Sequence, residues 1–313
     1  MIPFIITLSC VLAIILVALL IGARYAYNSA FSSKGSAAPV SGYFKKSGSL
    51  VPLKEKIDSL STKLTEDEFE EIYITAYDGI SLYARYYHVK DEAPVQIFMH
   101  GYKGNPDRSM CGSYVIARSL GHNVLVVDQR GCRKSGGKAV TFGVKERLDA
   151  ASWVNYICNR FGNVPIFLVG ISLGGASVLM ASNLSLPKNV VGIIADCPFS
   201  SPKKILKKVC CEHGVPKPLY PIVTLGAILF AHFNPNKYSA IESVKNTNIP
   251  ILLLHGKKDG FVPFSMAEEI YKACGGEKYL YEFDEADHAV CYMVDSKKYT
   301  TAVTDFTEKC LKS

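Results

Sequence analysis

In Ile166-Phe167-Leu168-Val169-Gly170-Ile171-Ser172-Leu173-Gly174-Gly175, a large apolar run breaks into a serine flanked by glycines, and an Ala- and Leu-bearing segment follows. The run reads as a strand and the segment after it as a helix. A strand that turns sharply into a helix forces the residue at the turn into a strained conformation. Glycines at the flanking positions remove the side chains that would collide there. The Ser172 hydroxyl is then held exposed near the positive end of the helix dipole. G-x-S-x-G by itself recurs by chance, so the strand before it and the helix after it carry the weight.

Outward from this turn, short apolar runs recur at Val95–Met99, Val124–Val127, Val190–Ala195, Ile251–Leu254 and Tyr279–Phe283. Most are too continuous to be strands with one wet face, and helix-length segments separate several of them. Val144 to Arg160, for example, repeats apolar residues at helical spacing. This is the pattern of a parallel sheet covered on both faces. Ahead of it, Phe69–Ala76 and Ser81–Val89 flank the turn signal Asp78-Gly79 and predict an antiparallel opening pair. The fold class is therefore α/β, with a mostly parallel eight-stranded sheet. The alternation breaks once, between Pro198 and Asn248, where a Lys-rich, then Pro-rich, then apolar stretch reads as an inserted helical cap. Its apolar part, Ile222 to Phe233, is too short to cross a membrane and predicts a cap helix turned toward the mouth of the site.

Phe4 to Ile21 carries no charge and, with Gly22 and Ala23, approaches the ~20 residues that cross a ~30 Å hydrocarbon slab. Residues 1–27 are expected to be a single transmembrane anchor. A cleaved signal peptide is the rival, but Met1 to Pro3 supply no basic residue ahead of the apolar run. Arg24, Lys34, Lys45 and Lys46 follow the span, and the positive-inside rule leans the catalytic domain toward the cytoplasm. Ser, Gly and Ala dominate the stretch from Asn28 to Gly48, so residues 28–65 read as a flexible tether and 66–313 as the folded domain.

A serine hydroxyl attacks well only when a base takes its proton. Of seven histidines, His288 follows the last strand, in a loop at the carboxyl edge of the sheet that reaches the Ser172 turn. His100 and His255 each end a strand before Gly and read as structural, while His88, His122, His213 and His232 read as surface or packing residues. The base in turn needs a carboxylate to fix its tautomer. Asp259 follows the strand Ile251–Leu254, giving the chain order Ser, Asp, His. Asp196 and Asp287 are its rivals. For the oxyanion that forms on attack, the backbone N–H groups of Leu173 and Tyr102 are the expected donors.

The chain has 35 Lys and Arg against 28 Asp and Glu, a formal charge of +7, which favours anionic surfaces such as lipid headgroups. No zinc-finger or RNP-type signature points to nucleic acid. Ten cysteines without C-x-x-C spacing suggest buried thiols and no metal site. Lys203, Lys204, Lys207 and Lys208 form the one basic cluster.

Together the Ser172 turn, His100-Gly101, Asp128-Gln129-Arg130-Gly131 and the Asp259 and His288 loops resemble the α/β-hydrolase superfamily over roughly residues 68 to 311. Thr141-Phe142-Gly143 with Glu146, Arg147 and Asp149, and Ala195-Asp196-Cys197-Pro198-Phe199, resemble more narrowly the bacterial membrane-anchored serine aminopeptidase-like and BEM46-like hydrolases. Arg133 departs from the family loop, which usually has Gly there. The resemblance implies a serine hydrolase with a catalytic triad and no cofactor or metal. Its substrate is expected to be a small-molecule or lipid-like acyl compound. Peptidase activity on short peptides and a silent hydrolase-fold binding protein are the alternatives.

Overall fold

Residues 2–34 and 38–312 are described by the computed structural model. The strands are β1 (Glu70–Thr75), β2 (Ser81–Tyr87), β3 (Val95–Met99), β4 (Asn123–Asp128), β5 (Ile166–Ile171), β6 (Val190–Asp196), β7 (Ile251–Gly256) and β8 (Lys278–Phe283). They form one sheet in the order β1-β2-β4-β3-β5-β6-β7-β8. Only β2 runs antiparallel to its neighbours; all other pairings are parallel. The turn expected at Asp78-Gly79 closes the first pair, with Gly79 at φ +83°.

The longer helices are α1 (Ile2–Ala26), α2 (Ala38–Ser47), α3 (Lys54–Glu66), α4 (Cys111–Ser119), α5 (Glu146–Phe161), α6 (Leu173–Ala181), α7 (Pro202–Glu212), α8 (Tyr220–Ala231), α9 (Ser265–Ala273) and α10 (Ser296–Lys312). Successive strand residues serve opposite faces. Ile97, Met99 and Leu168 join a core with Trp153 of α5 and Leu179 of α6. Phe98, Phe167 and Val169 join a second core with Tyr114 of α4 and Phe306 of α10. Because both faces are dry, the strands read as unbroken apolar runs rather than as alternating ones. Between β6 and β7 lies the cap insertion, where Ser201 opens α7 by accepting a hydrogen bond from the Lys204 N–H at 3.1 Å.

One expectation fails. Residues 28–65 do not run as an unstructured tether; residues 35–37 of that stretch lie outside the described residues, and the rest is largely helical. Tyr27–Phe31 forms a single π-type turn continuous with α1, and Phe31 is fully buried. Its ring packs edge-on against Phe142 and Phe233, with centroids 5.8 and 5.3 Å away. Ser32 then pairs with Ala139 as an isolated bridge, and Val140 N–H donates to the Phe31 carbonyl at 2.8 Å. Further on, α3 buries Ile57 and Leu64 against the α4 side of the sheet. The cause is burial of a few large apolar side chains, which offsets the ordering entropy of the small polar residues between them.

The helical stretch Ile2–Phe31 is long and apolar enough to cross a bilayer. It is exposed along most of its length, and only its final turns touch the rest of the chain.

Candidate active site

Ser172 sits between β5 and α6 with φ 55° and ψ −112°. The glycines around it are required by close approach. A Cβ on Gly170 would lie 2.2 Å from the Gly174 carbonyl carbon, and one on Gly174 would lie 1.9 Å from the Met99 oxygen. The Ser172 N–H donates to the Asp196 carbonyl at 2.8 Å, which fixes the turn against β6.

The loop after β8 brings His288 Nε2 to 2.9 Å from Ser172 Oγ. The loop after β7 brings Asp259 Oδ2 to 2.8 Å from His288 Nδ1. A carboxylate only accepts, so Nδ1 holds the proton and Nε2 faces the serine hydroxyl with a lone pair. Asp259 Oδ1 accepts two more bonds, from the Phe261 and Val262 N–H groups at 2.9 and 2.7 Å. Burial pushes the Asp259 carboxyl up, but the His288 and His255 imidazoles more than offset this and hold it well below the usual carboxylate range.

The sequence reading placed His255 in a purely structural role, yet its Nε2 lies 3.3 Å from Asp259 Oδ2. The same nitrogen is 2.9 Å from the Val262 carbonyl, which can only accept, so Nε2 carries the proton and its one N–H is shared between that carbonyl and Asp259. The spacing His255-Gly256-Lys257-Lys258-Asp259 was the available signal. The rivals of Asp259 serve elsewhere. Asp287 Oδ1 accepts from its neighbour's main-chain N–H at 2.7 Å and from the Tyr43 hydroxyl, so it shapes the loop rather than the ring. Asp196 is buried, has one oxygen without a hydrogen-bond partner, and is pushed up by burial to about 6.

Gly101 packs against the Ser172 turn, since a Cβ there would lie 3.7 Å from Ser172 Cβ. The loop is held from behind by His100. Gln129 N–H donates to its Nε2 at 3.1 Å, so Nδ1 is the protonated nitrogen and donates to the Gly101 carbonyl at 2.7 Å. Burial lowers His100 to about 4 and keeps it neutral. The Tyr102 side chain does more than pack: its hydroxyl donates to the Ala30 carbonyl at 2.8 Å, tying this loop to the turn that follows α1. Leu173 is the first residue of α6, where a backbone N–H has no helical acceptor. Arg133, at φ 48°, is pinned by Asn105 at 2.8 Å and lies 3.5 Å from both Asp107 and Asp128.

A narrow pocket opens at Ser172, with a volume near 40 Å³ and walls that include Ala30, Tyr102, Phe142, Leu173, Leu206 and Phe261. Its lining offers no exposed polar surface. Phe142, at φ 53°, is set in the wall by Glu146, whose buried carboxylate accepts from Thr141 N–H, Thr141 Oγ1 and Gly143 N–H at 2.6, 2.5 and 2.8 Å. The Lys-rich helix α7 supplies Ile205, Leu206 and Val209 to this pocket. The apolar helix α8 does not line it, contrary to expectation, because α8 spends its buried face on α1. A larger cavity, near 240 Å³, lies beyond the His288 loop, bounded by Asn105, Tyr292 and Tyr299 among others, and Ser172 is not in its wall. Among the described residues, the one metal-ligand grouping is Cys197 with Asp259 and His288, within 4.8 Å of one another. Asp259 and His288 already engage each other, and burial raises the Cys197 thiol well above its ordinary value.

A family described as the alpha/beta hydrolase fold matches residues 94–209. An uncharacterized Bacillus subtilis protein, YqkD, is 27% identical over 250 residues, covering 77% of this chain and 82% of its own. The Schizosaccharomyces pombe protein bem46 is 24% identical over 250 residues, with 76% of each chain covered. Among solved structures, the Pyrococcus furiosus esterase Pf2001 shares the fold with a TM-score of 0.65, at 23% identity over 79% of this chain and 93% of its own. With its sheet order, its serine turn and these matches, the chain has the α/β-hydrolase fold and is similar to BEM46-like proteins.

Proposed function

We propose that the protein is a serine hydrolase that cleaves ester, thioester or related acyl bonds through an acyl-Ser172 intermediate, on a small or lipophilic acyl substrate. The observation that carries this is the unbroken relay Ser172 Oγ, His288 Nε2, His288 Nδ1, Asp259 Oδ2, at 2.9 and 2.8 Å. In this reading His288 Nε2 takes the hydroxyl proton as Oγ attacks the carbonyl carbon. The Tyr102 and Leu173 N–H groups receive the negative oxygen, and His288 returns the proton to the leaving alcohol or thiol. Water then repeats the sequence and frees Ser172. Asp259, with four donors around it, is kept ionised behind the imidazole.

The pocket wall favours an acyl chain over a peptide, because a peptide would bring N–H and C=O groups that an apolar lining cannot pair. Near 40 Å³, the pocket accepts the end of a chain but not its length, so a longer acyl group requires α7 to move outward. We read α1 as a single membrane span that carries this domain. A fluorophosphonate probe is expected to label the wild-type protein and not Ser172→Ala; equal labelling of the two would remove Ser172 from its role. Esters of increasing acyl length, run beside aminoacyl arylamides, test the substrate class, with turnover of the esters expected.

A further inference from the structure

The apolar cap helix α8 runs beside the end of α1 rather than over the pocket. A Cβ on Gly226 would lie 2.4 Å from the Ala23 carbonyl oxygen, and one on Gly22 would lie 3.1 Å from Ile222. The Phe230 and Tyr27 rings are 5.8 Å apart. Contacts therefore climb together from Gly22 to Tyr27 on α1 and from Ile222 to Phe230 on α8, so the two helices lie side by side and point the same way. Glycine at the crossing lets the backbones approach as closely as they do in membrane helix pairs.

The far side of α8 is apolar and exposed: Leu219 just ahead of it, then Ile228 and Leu229, are each more than 40% accessible. The register places Leu219 beside the uncharged part of α1. Arg24 stands at the other end of the contact, with its guanidinium 5.1 Å from the Tyr27 centroid and 5.0 Å from that of Phe230. A cation among aromatic rings at the end of an apolar span is the arrangement of a membrane–water interface. With 12 residues, α8 reaches about 18 Å, too little to cross but enough to lie within one leaflet.

The neighbouring helix supplies matching charge. On α7, Lys204 is paired with Glu269 at 2.6 Å and Lys208 with Glu212 at 2.5 Å. Lys203 and Lys207 are exposed and have no acidic partner within ion-pair distance among the described residues. Lys207 reaches over Tyr220, the first residue of α8, at 5.2 Å. Lys217, ahead of α8, has a stem long enough to return its charge to headgroup level.

We propose that α8 lies in the bilayer beside α1, with Leu219 and the first turns of α8 against lipid, Ile228 and Leu229 at the interface that Arg24 marks, the stems of Lys203 and Lys207 returning their charges to anionic headgroups, and the Ser172 pocket at the membrane surface. The proposal rests on the reading of α1 as a membrane span. Its functional consequence follows from Ala30, which lines the pocket only a turn and a half beyond Arg24. The acyl chain of a membrane-resident substrate then needs to travel less than two helix turns, about 9 Å, out of the hydrocarbon.

The test uses the full chain in phosphatidylcholine vesicles with brominated or plain acyl chains. Tryptophan is introduced singly as Leu219→Trp, Ile228→Trp, Leu12→Trp in α1, and Val51→Trp on the exposed loop before α3. Trp153, wholly buried, gives every variant the same background. Bromination is expected to quench Leu219→Trp as it quenches Leu12→Trp, to quench Ile228→Trp less because it sits at the interface end of α8, and to leave Val51→Trp unchanged. Quenching of Leu12→Trp alone would place α8 outside the lipid and overturn the proposal while leaving the anchor intact. An unquenched Leu12→Trp would instead remove the membrane span, and the proposal with it.

Discussion

The sharpest prediction concerns Asp259→Asn, because the bonds around this carboxylate dictate what the amide must do. Oδ1 receives two backbone N–H groups, at 2.9 and 2.7 Å. Oδ2 receives His288 Nδ1 at 2.8 Å and His255 Nε2 at 3.3 Å. Asparagine has one oxygen and one NH₂. If the NH₂ faced the backbone, two pairs of donors would oppose each other, so the oxygen stays there and the NH₂ turns toward the imidazoles. His255 keeps its Nε2 proton, because the Val262 carbonyl holds it at 2.9 Å. His288 has no such tie, and its proton moves to Nε2, where it faces Ser172 as a donor instead of an acceptor. The fold survives and the base is lost. On the serine-protease precedent for this substitution, kcat falls about 10⁴-fold, about 5.5 kcal/mol in the barrier. The assay is hydrolysis of p-nitrophenyl butyrate by the detergent-solubilised protein, with thermal unfolding to show that the variant is folded. Asp196→Asn, at the rival position, is expected to retain more than a tenth of wild-type activity. A loss of less than tenfold in Asp259→Asn, or a larger loss in Asp196→Asn, would refute the reasoning.

Three further outcomes follow. Tyr102→Phe removes the hydrogen bond to the Ala30 carbonyl while keeping the ring, and kcat is expected to drop roughly tenfold for about 1 kcal/mol of stability; an unchanged kcat would show that the proposed oxyanion loop needs no support from the segment after α1. Gly174→Ala drives a methyl into the Met99 carbonyl and is expected to cost roughly 3 kcal/mol, read from urea midpoints, with activity lost at temperatures where wild type is still active. His100 and His122 are each lowered by burial to about 4 from 6.5. The unfolded chain therefore binds more protons between those values, and stability falls as pH drops through that window, by roughly 3 kcal/mol for His100 alone; equal urea midpoints at pH ~7 and ~4.5 would contradict this.

Much of this fold was legible because the dominant force leaves a local trace. Val95–Met99 and Ile166–Ile171 are buried on both faces, so their residues are apolar or small except Gln96, whose buried amide pairs with His122, and the run announces itself. The serine turn is equally local, since Gly170 and Gly174 exist to avoid each other's backbone and that of Met99. The proximity of Ser172, Asp259 and His288 came from chain order and strand ends, both visible in one dimension. The helix α3 carries such a trace too. Leu50, Leu53, Ile57, Leu60 and Leu64 repeat at alternating three- and four-residue steps, with the charged and polar residues between them facing solvent.

What could not be read is which apolar surface meets which. The sequence between Pro198 and Asn248 offers one basic amphipathic helix and one apolar helix, and the apolar one is the natural candidate to face a lipophilic pocket. The structure reverses the assignment: α7 turns Ile205, Leu206 and Val209 inward beneath its lysines, while α8 meets α1 through Gly226 and Ala23, residues about two hundred positions apart in the chain. A glycine marks such a contact only after the partner is known, because nothing in its own neighbourhood says what approaches it. The same holds for Ala30, whose carbonyl holds Tyr102 and whose side chain lines the pocket. A segment rich in Ser, Gly and Ala suits both a free tether and a close-packed seam, since small residues are what each requires. Here it is a seam, and the apolar N-terminal helix is thereby built into the wall of the site it carries.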